Sequence, residues 1–267
     1  MSTLETLHQL CRTLHLPTAA ASVSESLLLA HRENWSLEQF LASVLEQEVE
    51  GRRQRRVQRL LAQSHLPEGK SFARLDAARL PLRRRRLLPS LRAGDLLARA
   101  ENRLLFGLPG TGTSHLAAAL GQDWVQAGHP VLFTPTFKLV GRLLRAKRDY
   151  ELERELRRLD SFEVVILDDI GSVQQSRDEM EVLFTFLAER YERRSVVITS
   201  NLVFSEWGQL FKDPLTTAAA IDRVVHHSII LEFGSDMRSM RAEAAARRNR
   251  VDPSLGTDAP LSAAAPP

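Results

Sequence analysis

The stretch Gly107-Leu108-Pro109-Gly110-Thr111-Gly112-Thr113-Ser114 spaces its glycines so that successive backbone N–H groups can face an anion with no side chain in the way. Such a loop cradles phosphates when a strand precedes it and a helix follows. Both are legible: NRLLF at 102–106 leads in, and HLAAALGQDWVQAG leads out to a stop at Gly128. Gly107 to Ser114, with His115 directly after them, are expected to bind the phosphates of ATP, the Ser114 hydroxyl serving Mg²⁺. The position that supplies an ammonium to the β- and γ-phosphates is Thr113, which offers a hydroxyl and no charge. Amides and Mg²⁺ can still hold a nucleotide. What is missing is the cation that stabilises charge in the transition state, so hydrolysis is expected to suffer more than binding. Arg103 on the preceding strand and a residue of a neighbouring subunit are candidate substitutes.

A second acidic feature answers the loop. The apolar run EVVIL ends in Asp168-Asp169, placing two carboxylates at the C-terminal edge of a strand, where open α/β sheets bind ligands. Asp168 would hold Mg²⁺ through water, and Asp169 would orient or deprotonate the attacking water. Two acids opening a loop also serve as a turn or cap; the preceding phosphate loop favours the catalytic reading. The next run, SVVIT, ends in Ser200-Asn201, where an amide could feel the γ-phosphate or the attacking water. Arg223 is a candidate finger, acting in cis or across a subunit boundary, and Arg238 opens the last helical stretch; a surface salt bridge is the alternative for each. His226 and His227 point in different directions on a helix, a poor metal arrangement, and Trp207 suits a core anchor.

These groups need a scaffold. From residue 100 the runs NRLLF, PVLFT, EVVIL, SVVIT and SIILEF alternate with helical stretches, predicting a central parallel sheet flanked by helices. Upstream, Leu4, Leu7, Leu10, Cys11 and Leu14 mark a short amphipathic helix facing a partner helix, continued by Leu27 to Leu29. A longer helix starts at Ser36, with Gln39 reaching back to the cap, and runs through Leu60 and Leu61. Residues 1–66 are thus expected as a small helical N-terminal domain, 67–99 as a basic, exposed linker, 100–250 as the nucleotide domain, and the Pro/Ala-rich 251–267 as a disordered tail.

Charge is uneven. The chain carries +3 overall, yet residues 52–99 hold fourteen Lys/Arg against three Asp/Glu. Arg52, Arg53, Arg55, Arg56 on the long helix, with Arg59, and the run Arg83, Arg84, Arg85, Arg86 are expected either to bind the phosphate backbone of double-stranded DNA or to form a solvated face. Phosphate contacts predict salt dependence more readily than base preference. A single cysteine, Cys11, excludes an internal disulfide, and no run approaches the roughly 20 apolar residues of a membrane span. A cytoplasmic protein is expected.

The long stretch ERYERRSVVITSNLVFSEWGQLFKDPLTTAAAIDRVVHHSIILEF, with the loop and the acidic pair, resembles the IstB-like ATP-binding proteins, helper ATPases of a bacterial insertion-sequence family and relatives of DnaC-type helicase loaders. The likeness spans about residues 36–245. It implies an AAA+ P-loop NTPase fold of the α/β class, homo-oligomeric assembly on double-stranded DNA with ATP, and recruitment or stimulation of a transposase; a replicative helicase is the alternative partner. The motifs map onto Gly107 to Ser114, Asp168 and Asp169, Asn201 and Arg223. Thr113 is the departure, and it bears on hydrolysis.

Overall fold

The computed structural model describes residues 2–76, 85–172, 176–201, 224–226 and 228–233. Arg83, Arg84, Trp207, Arg223, His227, Arg238 and the tail lie outside them.

Five strands form one parallel sheet: β1 (Asn102–Gly107), β2 (Val131–Pro135), β3 (Val164–Asp168), β4 (Ser195–Ser200) and β5 (Ser228–Phe233), in the spatial order β2-β3-β4-β1-β5. Strands covered on both faces need apolar residues at successive positions, which is why the middles of β1 to β4 read as hydrophobic runs. Alternation then divides them. Leu104, Phe106, Val165, Leu167, Val196 and Ile198 pack one face, while Leu105, Val164, Ile166, Val197 and Leu231 pack the other. β5 is an edge strand, and its Ile229 and Ile230 remain exposed.

The amino-terminal half supplies α1 (Thr3–Thr13), α2 (Pro17–Glu33), α3 (Leu37–Ser64), α4 (Leu88–Ala93) and the single turn α5 (Asp95–Ala98). Ser36 caps α3 as its sequence predicts: Ser36 Oγ accepts from the Gln39 N–H, and the Gln39 side chain accepts from the Ser36 N–H. α2 begins at Pro17 without a side-chain cap of its own. Glu48 of α3 takes that part instead, accepting from the N–H groups of Thr18 at 2.8 Å and Ala19 at 3.0 Å. Burial alone would push the Glu48 carboxyl up, but hydrogen bonds from Arg52 and the two amides outweigh it and hold Glu48 below the usual carboxylate range. α1, predicted to lean on a partner helix, packs on α2 yet buries no residue fully.

α6 (Thr113–Gln126) covers one face of the sheet, joined by Leu60 of α3 and by Leu75 and Leu91. The segment between the helical region and β1 is therefore not merely exposed: its buried leucines complete the second core, and Leu91 O accepts from the indole N–H of fully buried Trp124 at 3.0 Å. α7 (Thr136–Arg148), α8 (Leu152–Asp160) and α9 (Arg177–Arg190) cover the opposite face. There Arg190, 2% exposed, donates to the carbonyls of Leu159, Phe162, Glu163 and Ser195, tying α8, the approach to β3 and β4 together. Burial lowers its guanidinium to about 9, still charged at neutral pH. Among the described residues no helix is long and apolar enough to cross a membrane.

Candidate nucleotide site

β1 ends at Gly107 and α6 starts at Thr113, so the glycine-rich loop is the connection between them. Gly110 and Gly112 adopt φ of +89° and +97°, a left-handed backbone open to glycine and strained for other residues, and Gly112 is the N-cap of α6. Amides at such a turn and the positive end of the α6 dipole face the same concavity. Thr111 is buried and turns its hydroxyl back onto Leu108 O at 2.8 Å, bracing the loop from within. Gly107 has no room for a side chain: a β-carbon would come within 2.6 Å of Thr111 Oγ1 and 2.7 Å of Phe233 Cβ.

β3 and β4 bring the acids to the same place. A cavity of about 340 Å³ is lined by Gly107, Leu108, Pro109, Gly110, Thr113 and Ser114 on one side and by Asp168, Asp169, Thr199, Ser200 and Asn201 on the other. It sits at the carboxyl ends of β1, β3 and β4, where ligands enter open parallel sheets. Ser114 and the two aspartates offer hard oxygen donors, which suit Mg²⁺, and a cavity of this size is in the range of ligand sites. No lysine or arginine is among the described lining residues.

Asp169 sits at φ +56°, and its carboxyl is pushed up, first by burial and then by the adjacent Asp168 charge. Its N–H donates to Thr199 Oγ1 at 2.8 Å, and the same hydroxyl donates to Asp168 Oδ1 at 2.7 Å. Thr136, the first residue of α7, donates from Oγ1 to the Asp168 carbonyl at 3.1 Å. The sequence marks Ser200-Asn201 but gives no sign of Thr199 or Thr136. A threonine in a strand signals β-structure first, and only the register of neighbouring strands reveals what its hydroxyl meets.

Other candidates fall elsewhere. The His115 ring nitrogen Nε2 pairs with the Ser71 carbonyl at 3.0 Å. Arg103, a candidate substitute for the lysine, is buried near the start of β1, at the strand end opposite the loop, and its guanidinium donates to Asn102 O at 2.8 Å and Glu101 Oε2 at 3.0 Å. It is committed away from the phosphate loop. His226 stands 3.1 Å from the Tyr191 hydroxyl through Nδ1.

The α3 arginines divide. Arg52 donates to Glu48 at 2.9 Å and to His15 O at 2.9 Å; Arg55 donates to Thr18 Oγ1 at 2.7 Å and to Glu48 at 3.1 Å. Both staple α3 to the start of α2. Arg56 donates to Gly128 O at 3.1 Å, next to the end of α6, while Arg53 faces Glu50 at a loose 3.7 Å and is exposed. Arg52, Arg53 and Arg56 line a cavity of about 500 Å³ with Gly128, His129 and Glu163, toward the amino ends of β2 and β3 and thus across the sheet from the phosphate loop. Arg85 and Arg86 are exposed.

An insertion-sequence ATP-binding protein of Sinorhizobium fredii is 41% identical over 90% of this chain and 81% of its own length. The insertion sequence IS21 ATP-binding protein of Pseudomonas aeruginosa is 37% identical over 87% of each chain. Among solved structures, DnaI matches with a TM-score of 0.52 at 19% identity, over 63% of this chain and 95% of its own. AMPPCP-bound DnaA from Aquifex aeolicus matches with a TM-score of 0.53 at 14% identity, over 73% of this chain and 58% of its own. These structures share the α/β AAA+ P-loop fold, a parallel sheet flanked by helices. The family model for IstB-like ATP binding proteins matches residues 9–247, nearly the whole length, and the chain belongs to that family.

Proposed function

We propose that this chain is an ATP-binding helper protein of DNA transposition, which assembles as a homo-oligomer on double-stranded DNA and recruits or stimulates a transposase. The carrying observation is the cavity in which the glycine-rich loop faces Asp168 and Asp169. In this reading the loop amides and the α6 N-terminus bind the phosphates, and Ser114 with Asp168 holds Mg²⁺. Bound there, Mg²⁺ supplies charge neutralisation between the phosphates and the carboxylates. Asp169 accepts a hydrogen bond from the attacking water, Asn201 contacts the γ-phosphate, and Arg223 supplies a finger. Thr113 provides no charge, so the bound state outlasts turnover. Residues 1–66 and 67–99 serve as a helical and basic region, 100–250 as the nucleotide domain and 251–267 as a tail.

DNA contact falls to Arg52, Arg53, Arg55 and Arg56 of α3 and to Arg85 and Arg86, all of which the fold leaves exposed, together with Arg83 and Arg84. Arg52 and Arg55 support this region by fixing its helices. Names of the relatives that mention insertion sequences support the transposase over a replicative helicase as partner.

The test is a titration of a fluorescent ATP analogue with Mg²⁺ into the full chain, with and without duplex DNA, followed by pull-down with the transposase and with a replicative helicase. Micromolar nucleotide binding, DNA binding that weakens steeply with salt and capture of the transposase are expected. No nucleotide binding overturns the site; capture of the helicase alone overturns the transposition role.

A further inference from the structure

The Asp168–Asp169 tip is governed by one buried hydroxyl. Thr199 is 2% exposed and is the penultimate residue of β4. The parallel register pairs Ile198 with Leu167, which sets Thr199 beside Asp168 on the next rung. On its other side Thr199 pairs with Leu105 of β1, the strand that feeds the phosphate loop. Strand alternation gives Thr199 the same sheet face as Val197, the face covered by α6. The hydroxyl therefore lies between the acidic tip and the phosphate loop, and Thr199 lines the cavity that both form.

A hydroxyl has one proton to donate and lone pairs to accept with. Here the proton goes to Asp168 Oδ1 at 2.7 Å and a lone pair takes the Asp169 N–H at 2.8 Å. One atom thus fixes the carboxylate before the turn and the backbone of the residue that makes the turn. That backbone is left-handed, with Asp169 at φ +56°, a conformation that an L residue keeps when its surroundings over-determine it. The Asp168 carbonyl is held from the opposite side by Thr136. The bond from Thr199 turns the Asp168 carboxylate by one oxygen, and Oδ2 together with the remaining lone pair of Oδ1 can accept from the water shell of a metal.

We propose that Thr199 is the positioning residue of the Mg²⁺ site: its hydroxyl sets the Asp168 rotamer and holds Asp169 in the turn that presents both carboxylates to the loop. Outer partners of this kind orient metal ligands, and losing one lowers metal affinity by about tenfold or more. The inference rests on the nucleotide-site reading above.

Thr199→Val keeps the shape of the side chain and removes both hydrogen bonds, whereas Thr199→Ser keeps them. A fluorescent ATP analogue is titrated into each full-length protein in excess EDTA and at a series of Mg²⁺ concentrations, with apo melting temperatures measured alongside. The valine variant is expected to need about tenfold more Mg²⁺ for half-maximal enhancement of binding. Its metal-free affinity should stay at the wild-type value, and the serine variant should restore the Mg²⁺ midpoint. A wild-type midpoint in the valine variant, with wild-type protein binding normally, overturns the role of Thr199 alone. Equal loss of binding with and without Mg²⁺ assigns the hydroxyl to the fold and overturns it too. Absence of nucleotide binding by the wild type overturns both readings. If the valine variant does not fold, Thr199→Cys, with its weak donor and acceptor, gives the same comparison: a midpoint no higher than that of the serine variant refutes the role.

Discussion

Restoring the missing charge by Thr113→Lys isolates what the phosphate loop lacks. The described residues around the cavity contribute two carboxylates and no lysine or arginine, so among them the phosphate charge is opposed by loop amides, the α6 dipole and the metal. Thr113 opens α6, and its γ-methyl lies 3.0 Å from where a β-carbon on Gly107 would stand. A lysine stem can pass that glycine and carry its ammonium into the cavity. A charge about 4 Å from a phosphate oxygen is worth about 4 kcal/mol at an effective dielectric of about 20. Ordering the lysine side chain returns roughly 2 kcal/mol of that. About 2 kcal/mol remains, or roughly 30-fold in rate if the contact is made in the transition state. Single-turnover phosphate release at saturating MgATP reads the chemical step, and an equilibrium titration reads binding separately. A rise of between about 10- and 100-fold in the release rate is expected. Wild-type turnover equal to that of the lysine variant would refute the reasoning, because it would mean that another group already supplies the charge.

Three further outcomes follow from the same geometry. Asp169 has its folded-state pKa raised, so its charged form costs stability once pH rises through that value. Asp169→Asn should therefore raise the apo melting temperature at pH 7 while abolishing turnover, with the stability gain shrinking as pH falls toward the ordinary carboxylate range. Glu48 is the reverse case: its lowered pKa gives stability that is present above the unfolded carboxylate value and lost as pH falls through the folded one. Glu48→Gln should cost about 2 kcal/mol at neutral pH in thermal or denaturant unfolding, and a difference that persists unchanged at acid pH would remove the charge from the explanation. Finally, Arg53→Gln should lower the salt slope of duplex binding by about one and leave the melting temperature unchanged. Arg52→Gln, which cuts the α3 staple to Glu48 and His15, should lower the melting temperature more than it changes that slope.

Much of the site was legible because its chemistry is local. A glycine-rich loop between a strand and a helix must be contiguous to work, so Gly107 to Ser114 stand together in the chain as they do in space. Hydrophobic runs declared β1 to β4, since strands buried on both faces leave little polar alternation to obscure them, and SIILEF declared the half-exposed edge strand β5 by its apolar content. The Ser36 cap was visible for a similar reason, its partner Gln39 being three residues away.

Long-range partners carried no such signal. Glu48 reads as one more surface acid of an acidic helix half, and its part as the cap of α2 appears when Thr18 and Ala19 arrive from about thirty residues upstream. Arg52 and Arg55 look like free positive charge in the sequence, whereas folding ties them to Glu48, His15 and Thr18 while leaving both side chains about half exposed. Arg103 is four residues from Gly107 in sequence, but at about 3.3 Å per residue an extended strand carries it to the far end of the sheet. The amino-acid sequence alone thus determined the loop, the acidic pair and the absence of lysine at Thr113, since each is a matter of residue type within a continuous stretch. The tertiary structure alone decided that Asp168 and Asp169 face that loop, that Thr199 bridges them, and which arginines stay exposed. Strand order and register bring these groups together, and both are set by burial across the whole sheet rather than by any neighbouring residues.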